Sequence, residues 1–403
     1  MNVLFLTLVD FSNFEESNIY SDLMNEFLNE NHYLCIISPT EKRNKEHTHI
    51  IKTDKYEILK LQVSDIQKTN IFKKGISTLT IGNRYTNAIK KYFSNITFDL
   101  VLYSTPPVTL GKAVKYIKNR DNPTTYLLLK DIFPQNAVDL QMIRKNGIVS
   151  ILYRYFRYKE KQIYEYSDYI GCMSQANVDY LLKNNHGLLR NKVEVCPNSL
   201  EPTSTIISDI ESKQIEKKYQ LPKDKILFIY GGNLGKPQGV DFLIECLRSN
   251  IGNDDVFFLV VGSGTDYYKI VNYANIEKPQ NLRIIEQLPN YEFERLVNVC
   301  DVGLIFLDYR FTIPNFPSKI LSYMRASKSI LAATDINSDI GKTIKEGKFG
   351  YWCESLDKNE FNNILHEFYD VEKNKIMGSN ARLHFEKHFT AKHSYEVIIN
   401  HFK

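Results

Sequence analysis

The chain has 403 residues, of which 43% are hydrophobic and 24% are charged. This balance is ordinary for folded proteins and excludes a disordered or fibrous chain, and the length accommodates two domains of usual size. With 51 Lys and Arg against 47 Asp and Glu, the net charge of +4 is too small to indicate nucleic-acid binding. No apolar run approaches the ~18 residues of a membrane span.

The N-terminal half alternates between apolar runs and helical patterns. Strands buried on both faces are predicted at 3–8, 33–37, 100–103, 125–129, 169–172 and 193–196. A helix between the first two strands places Ile19, Leu23 and Phe27 on one face. The chain opens directly in an apolar strand, without the basic segment of a secretory signal, and its six cysteines stand singly. We therefore expect a cytoplasmic protein whose cysteines are small buried hydrophobic residues rather than disulfides or zinc ligands.

The C-terminal half repeats this alternation after a polar linker at 198–222. Strands are predicted at 226–230, 257–261, 282–285 and 302–306, and helices at 240–247, 291–298, 320–326 and within 373–403. Two such series predict an α/β fold of two Rossmann-like, doubly wound parallel-sheet domains, at 1–200 and 201–385. A C-terminal helix at 386–403 is expected to return to the N-terminal domain. Because such sheets bind ligands at the carboxyl ends of their strands, we expect the site in a cleft between the domains.

A glycine-rich segment, GGNLGKPQG at 231–239, follows the first strand of the second series and precedes a helix. Glycines let the backbone approach a ligand closely, a helix N-terminus attracts anions, and Lys236 adds a positive charge. The segment therefore predicts phosphate binding. It matches neither a Walker A loop nor GxGxxG, and a plain glycine turn is the alternative reading.

A second candidate anion site lies after the last predicted strand of that series. Ser318 and Lys319 open a predicted helix there, and Arg310 precedes them. Hydroxyl, ammonium and backbone donors at a helix start suit a phosphate or a sugar. A capping serine beside a solvated lysine is the alternative.

The order of these motifs resembles the donor domain of the retaining glycosyltransferases of family 4, which have the GT-B fold. The motifs are the glycine segment, VVGSG at 260–264, QLPN at 287–290 and PSK at 317–319. NIYSDL at 18–23, KDIFPQ at 130–135 and CPNS at 196–199 resemble the N-acetylfucosamine-transferase-like branch, which builds bacterial capsule and O-antigen repeats. The resemblance covers nearly the whole chain.

The resemblance implies the site residues and a reaction that needs neither a cofactor nor a metal. Lys236 and Lys319 are expected to be catalytic cations, and Gln287 and Leu288 are expected to lie against the nucleobase. The residues implied for nucleotide-sugar binding are Gly231, Gly232, Asn233, Gly235, Gln287, Leu288, Arg310, Ser318 and Asn198.

The chain also departs from the family pattern. Pro314 and Ser322 occupy the positions of the two acidic residues of the usual E-x7-E, and Asn233 and Gln238 replace the usual Arg and Lys. The histidine that many members carry would fall near 104–105, where this chain has none. The cations left to meet the donor phosphates are Lys236, Lys319 and Arg310.

Asp131 ends a predicted strand that points towards the expected cleft. We expect it to be catalytic, binding the acceptor hydroxyl or stabilising positive charge on the sugar. The alternative is a carboxylate that caps the next helix, and Glu15 and Glu16 are the other candidate carboxylates. Metal binding is not indicated, because the nine histidines are dispersed and His47 and His49 fall in a charged loop that is expected to be exposed. His384 and His388 share a helix face and are expected to pack or to face solvent.

Two basic segments indicate a membrane-bound acceptor. Residues 66–98 contain six Lys and Arg and no acidic residue, and 143–159 interleaves basic, apolar and aromatic residues. Such segments suit anionic lipid headgroups. A solvated basic face is the alternative, and nucleic acid fits less well because the rest of the chain offsets the charge.

With the basic segments, the resemblance implies a retaining transferase at the cytoplasmic membrane face. It would move a sugar from a nucleotide-sugar, of the UDP-N-acetylhexosamine type, to a polyprenyl-diphosphate-linked saccharide. A UDP-sugar 2-epimerase of the same fold and a non-catalytic partner subunit of polysaccharide assembly are the alternatives. An epimerase would need histidines in the cleft. A non-catalytic role would account for the absence of the E-x7-E acidic residues.

Overall fold

A computed structural model describes residues 1–41, 46–63, 71–147, 150–203 and 207–402, and the side chains of 71–79 lie outside this description. The chain divides into two compact units. The N-terminal unit comprises Met1–Asn198 and Ser394–Lys403, and the C-terminal unit comprises Ser199–His393. The domain boundaries predicted from the sequence, at 200/201 and 385/386, remain predictions.

The N-terminal unit is built on an eight-stranded sheet with the order β3-β4-β2-β1-β5-β6-β7-β8. Only the β3–β4 pair among the described strands of this sheet is antiparallel. Its strands are β1 (Asn2–Leu6), β2 (Tyr33–Glu41), β3 (His49–Lys52), β4 (Tyr56–Val63), β5 (Leu100–Thr105), β6 (Thr124–Leu129), β7 (Tyr169–Cys172) and β8 (Val193–Val195). Its helices are α1 (Ser21–Asn29), α2 (Ile71–Tyr92), α3 (Gly111–Asp121), α4 (Gln135–Asp139), α5 (Ser150–Tyr166) and α6 (Gln175–Asn184).

The C-terminal unit has a six-stranded parallel sheet with the order β11-β10-β9-β12-β13-β14. Its strands are β9 (Ile226–Asn233), β10 (Val256–Ser263), β11 (Leu282–Ile285), β12 (Val302–Phe306), β13 (Ser329–Thr334) and β14 (Gly350–Glu354). Its helices are α7 (Asp209–Tyr219), α8 (Val240–Ser249), α9 (Tyr267–Glu277), α10 (Asn290–Val299), α11 (Lys319–Arg325), α12 (Ile340–Gly347), α13 (Lys358–His366) and α14 (Val371–His388). The last helix, α15 (Ala391–Ile399), contains the boundary between the units.

Apolar residues of the central strands form the core of each unit. In the N-terminal unit, Phe5, Ile36 and Leu102 are fully buried and pack with α1. In the C-terminal unit, Phe228 and Val260 are fully buried and pack with α8 and α13. All six cysteines are free and buried, as predicted. None of the described helices is long and apolar enough to cross a bilayer.

The predicted glycine loop is wrong in one respect, because Gly231, Gly232 and Asn233 still belong to β9. The strand extends to this point because it stays paired with β10, where Gly232 lies opposite Gly262 and Asn233 opposite Ser263. A β-carbon on Gly262 would lie 1.8 Å from the carbonyl oxygen of Gly232, so this close pairing requires glycine. Residues 234–239, rather than Gly231 and Gly232, form the connection to α8.

Candidate active site

The strand order of the C-terminal unit reverses between β9 and β12. From β9 the chain continues to β10 and β11 on one side of the sheet, and from β12 it continues to β13 and β14 on the other. In open parallel sheets, ligands bind at the carboxyl ends of the strands at such a reversal. Gly231–Asn233 form this end of β9, and Asp308 lies just beyond β12. The candidate glycines therefore lie at the position where the topology favours a ligand.

Close packing around Gly231 excludes any side chain at that position. A β-carbon there would lie 2.1 Å from Cζ of Phe293. The Gly231 amide also donates a hydrogen bond to the Tyr323 hydroxyl at 3.0 Å, and that hydroxyl donates to the Ile229 carbonyl at 3.1 Å. Gly231 is thus a fixed, buried part of the strand end. The adjacent Gly232 is exposed and has a φ of +122°, a conformation that favours glycine.

Lys319 lies directly beside Gly232. A β-carbon on Gly232 would be 3.6 Å from Lys319 Nζ. The ammonium donates to the Tyr230 hydroxyl at 2.9 Å and lies 4.0 Å from the centroid of the Tyr230 ring. Burial lowers the pKa of Lys319 to about 7. Since the described residues provide no carboxylate partner for it, this cation is available for an anionic ligand at Gly232.

The start of α11 differs from the simple capping interpretation. Ser318 is the residue before the helix, yet its backbone is helical and its hydroxyl makes no capping hydrogen bond in the described structure. The side chain is exposed. The capping alternative is therefore wrong for this serine, and its contact with a ligand stays a prediction.

The connection after β9 is held by side-chain amides. Asn233 Nδ2 donates to Gln238 Oε1 at 3.0 Å, and the Gly235 amide donates to the same oxygen at 3.3 Å. Lys236 opens a short 3₁₀ turn, Lys236–Gln238, and is exposed, with no ion pair among the described residues. The Asp308 amide donates to the Pro237 carbonyl at 3.0 Å, which joins this turn to the end of β12.

The two other predicted contacts on this unit have different surroundings. Gln287 is exposed and its Oε1 accepts a hydrogen bond from Ser263 Oγ at 2.8 Å, and the following Leu288 is half-buried. Since Ser263 is paired with Asn233, Gln287 is linked to the glycine end of β9. Arg310 instead donates through Nε and NH2 to the buried Asp308, at 2.8 and 2.7 Å. Its charge is already balanced, so Arg310 is a weaker candidate for phosphate than Lys319.

Asp131 of the N-terminal unit lies just beyond β6, and burial raises the pKa of its carboxyl to about 6. The alternative role as a helix cap is wrong, because Pro134 is the cap residue of α4. The Asp131 backbone carbonyl accepts from Thr105 Oγ1 at 3.3 Å, at the end of the neighbouring β5. A carboxyl of this kind can titrate near neutral pH and can accept or donate a proton.

Asn198 follows β8 and is 6% exposed. Its Oδ1 has no hydrogen-bond partner among the described residues. A buried amide oxygen without a partner is costly, so a ligand hydroxyl or amide would satisfy it. Asn198 and Asp131 belong to the N-terminal unit, whereas the remaining predicted site residues belong to the C-terminal unit.

Two supporting residues were missed by sequence reasoning. Tyr230 holds Lys319, but in the sequence it is only the last residue of an apolar strand, 89 positions before its partner. Lys130, next to Asp131, has a pKa lowered to about 8 by burial. The sequence did contain a signal for Lys130, because this lysine ends an apolar run just before an aspartate. It entered the interpretation only as part of the KDIFPQ motif at 130–135.

The described residues contain no group of three or more His, Cys, Asp and Glu suited to a metal ion. The His384 and His388 rings lie 4.7 Å apart, and His384 also packs near Phe349 and Phe389. Burial lowers the pKa of His384 to about 4. Both rings thus lie against neighbouring aromatic rings in this structure.

Known proteins resemble both the sequence and the fold. Residues 211–384 match the family described as Glycosyl transferases group 1. The probable glycosyltransferase WbjE of Pseudomonas aeruginosa is 25% identical over 286 residues, which are 70% of this chain and 68% of WbjE. The structure of HepE from Anabaena in complex with UDP has a TM-score of 0.69 at 14% identity, covering 100% of this chain and 99% of that one. WaaG, described as a glycosyltransferase involved in lipopolysaccharide biosynthesis, has a TM-score of 0.68 at 12% identity, with 98% and 99% covered.

The predicted GT-B class of two Rossmann-like parallel-sheet domains is therefore confirmed. The glycine strand end and Lys319 lie inside the matched segment. Together these findings show that the chain is a glycosyltransferase with the GT-B fold, and its residues 211–384 match the group 1 glycosyltransferase family.

Proposed function

We propose that this enzyme is a retaining transferase that moves a sugar from a UDP-linked N-acetylhexosamine to a polyprenyl-diphosphate-linked saccharide in bacterial surface polysaccharide synthesis. The observation that carries the proposal is Lys319, a cation without a carboxylate partner among the described residues, beside the exposed Gly232 at the end of β9. The uridine donor is supported by the UDP in the HepE structure, and the polysaccharide product by the described role of WaaG.

In this proposal the C-terminal unit binds the donor and stabilises its leaving group. The Lys319 ammonium and the exposed Lys236 contact the diphosphate, with backbone amides near Gly232 as further donors. The bond between the sugar C1 and the diphosphate oxygen breaks, and the acceptor hydroxyl oxygen bonds to C1 on the same face. The acceptor proton moves to the departing diphosphate oxygen. The scheme uses no metal and no cofactor, because the two lysines balance the developing charge.

The N-terminal unit provides the acceptor contacts in this proposal. Asp131 binds the acceptor hydroxyl or stabilises positive charge on the sugar, and the unpartnered Asn198 Oδ1 accepts a hydrogen bond from a substrate hydroxyl. Because the acceptor carries a polyprenyl chain, we place the enzyme at the cytoplasmic face of the membrane, in contact with its inner leaflet.

The test measures UDP release from UDP-N-acetylhexosamines with and without a synthetic lipid-linked acceptor. We expect the double variant K236M/K319M to lose about a hundredfold or more in turnover, the scale seen when one stabiliser of developing charge is removed. The matched control is K213M/K217M on α7, which removes two exposed lysines of the same unit. Full turnover in K236M/K319M would overturn the assignment.

The products decide between the remaining possibilities. A transferred sugar whose anomeric configuration equals that of the donor supports the retaining reaction, and inversion contradicts it. Recovery of a 2-epimeric sugar without transfer would indicate the epimerase. If none of the nucleotide-sugars offered releases its nucleoside diphosphate, the protein is a non-catalytic subunit.

A further inference from the structure

The hydroxyl of Tyr230 has two partners at the end of β9. It donates to the backbone carbonyl of Asn233 at 2.7 Å, and it lies 2.9 Å from Lys319 Nζ. A tyrosine hydroxyl has a single proton to donate, so towards Lys319 it is the acceptor. The direction of this second hydrogen bond follows: the ammonium donates and the tyrosine accepts.

The position of Tyr230 is set by the core of the C-terminal unit. Tyr230 is fully buried, and its ring centroid lies 6.3 Å from that of Phe306 on β12. Side chains packed in a core are held in one rotamer before any ligand binds. Lys319 thus contacts a rigid partner through the hydroxyl and also through the ring, whose centroid is 4.0 Å from Nζ.

This partner orients the lysine without cancelling its charge. Burial keeps the pKa of the Tyr230 hydroxyl well above its usual range, so the tyrosine is neutral. Arg310 has the opposite arrangement, because the carboxylate of Asp308 balances its charge at 2.7 Å. An ammonium has three donors, and the two that Tyr230 does not use have no partner among the described residues. Lys319 therefore keeps its charge and two donors for a ligand.

The charged groups around α11 do not determine the state of Lys319. Burial alone lowers its pKa, and the described charged side chains of α10, α14, β12 and β13, which pack against α11, contribute nothing to the shift. Glu294 of α10 is bound by Arg325 of α11. A hydrogen bond to the charged form favours that form, so removal of the Tyr230 oxygen would lower the pKa of Lys319 further.

We propose that Tyr230 is a positioning residue for the donor diphosphate, because it holds the Lys319 ammonium beside Gly232 as an oriented cation without a counter-ion. The hydroxyl and the ring fix Nζ, and the two free donors are then in place for phosphate oxygens before the donor arrives. This role rests on the proposed function, from which the diphosphate is taken. Tyr230 acts only through Lys319, which separates its role from a purely structural one.

The test is a double-mutant cycle on UDP binding by the full chain, measured by calorimetry at pH 8, above the Lys319 pKa of about 7. Y230F keeps the ring and removes the oxygen, and we expect it to bind UDP about tenfold more weakly than the wild type. In a K319M background the same change should alter the affinity by less than about twofold, because the lysine is gone. The matched control is Y273F, which removes the hydroxyl of another buried tyrosine of this unit, one without a hydrogen-bond partner among the described residues. Y273F should bind UDP like the wild type.

A second measurement needs no nucleotide. Only the neutral amine of a lysine reacts with acetic anhydride, so the pH dependence of Lys319 acetylation, followed by peptide mass spectrometry, gives its pKa in the free protein. We expect this pKa to be about one unit lower in Y230F than in the wild type, which matches a tenfold loss of the charged form at pH 8. Y273F should leave it unchanged. Urea unfolding establishes that each variant is folded.

The outcomes separate the role of Tyr230 from the proposed function. A loss of UDP affinity confined to the background that contains Lys319 supports the role. An equal loss in the wild type and in K319M overturns it, and so does a folded Y230F with wild-type UDP affinity while K319M binds weakly; both results leave the proposed function standing. Wild-type affinity in K319M overturns both. A wild type that binds no UDP contradicts the proposed function, and a lowered Lys319 pKa in Y230F then leaves the coupling of Tyr230 to Lys319 standing.

Discussion

Lys319 makes donor binding depend on pH in a direction that can be predicted. Burial against Tyr230 lowers the pKa of this lysine to about 7, so in the free enzyme it loses its charge as the pH rises through neutrality. A bound diphosphate favours the charged form and raises the pKa again. Binding therefore takes up a proton above pH 7. UDP affinity should fall by about tenfold per pH unit above the lysine pKa, until the pKa of the complex is reached.

Isothermal titration calorimetry with UDP tests this between pH 7.5 and 8.5, a range chosen above the second phosphate pKa of roughly 6. Titrations in buffers of different ionisation enthalpy give the number of protons taken up, which we expect to approach one for the wild type. K319R, whose guanidinium stays charged, should bind UDP without this pH dependence. K319M should bind weakly at every pH. A wild-type affinity that stays constant over this range, with no proton uptake, would refute the reasoning.

Three further predictions concern individual residues. G231A should destabilise the fold by about 1–3 kcal/mol in urea unfolding, because its methyl group would overlap the Phe293 ring. The control is G187A, whose methyl group would have nothing within 4 Å and should not change the free energy of unfolding measurably. The transfer rate should fall at acid pH with the protonation of Asp131, because the raised pKa of its carboxyl means that it becomes neutral as the pH falls through about 6. D131N, which has no carboxyl to titrate, should lose this acid limb of the pH–rate profile. R310A should cost about 1–3 kcal/mol of stability, because the buried Asp308 carboxylate then keeps the backbone amide of residue 310 but has no cation. A double variant R310A/D308A that is no more stable than R310A would contradict this.

Strands made of continuous apolar residues were predictable from the sequence. The predicted bounds at 169–172, 282–285 and 302–306 coincide with β7, β11 and β12. β4 was missed because Glu57 and Lys60 interrupt its apolar run. Both are buried, and Lys60 is accommodated by contacts with Asp10 and with Ser12 Oγ at 2.9 Å. Those partners are about fifty positions away, so no local pattern reveals them.

The same limit applies to the candidate site. The glycines and Lys319 could be chosen because strand ends and helix starts are recognisable in a sequence. The pairing of Arg310 with Asp308 and the contact of Lys319 with Tyr230 depend on side-chain positions after folding, which the sequence pattern does not contain. The cleft expected between the domains stays a prediction.

The central claim is that the carboxyl end of β9 and Lys319 bind the donor diphosphate. A crystal structure of the protein with UDP tests this most directly. We predict phosphate oxygens within hydrogen-bonding distance of Lys319 Nζ and in contact with the exposed Gly232. A nucleotide whose phosphates contact neither group would contradict the account.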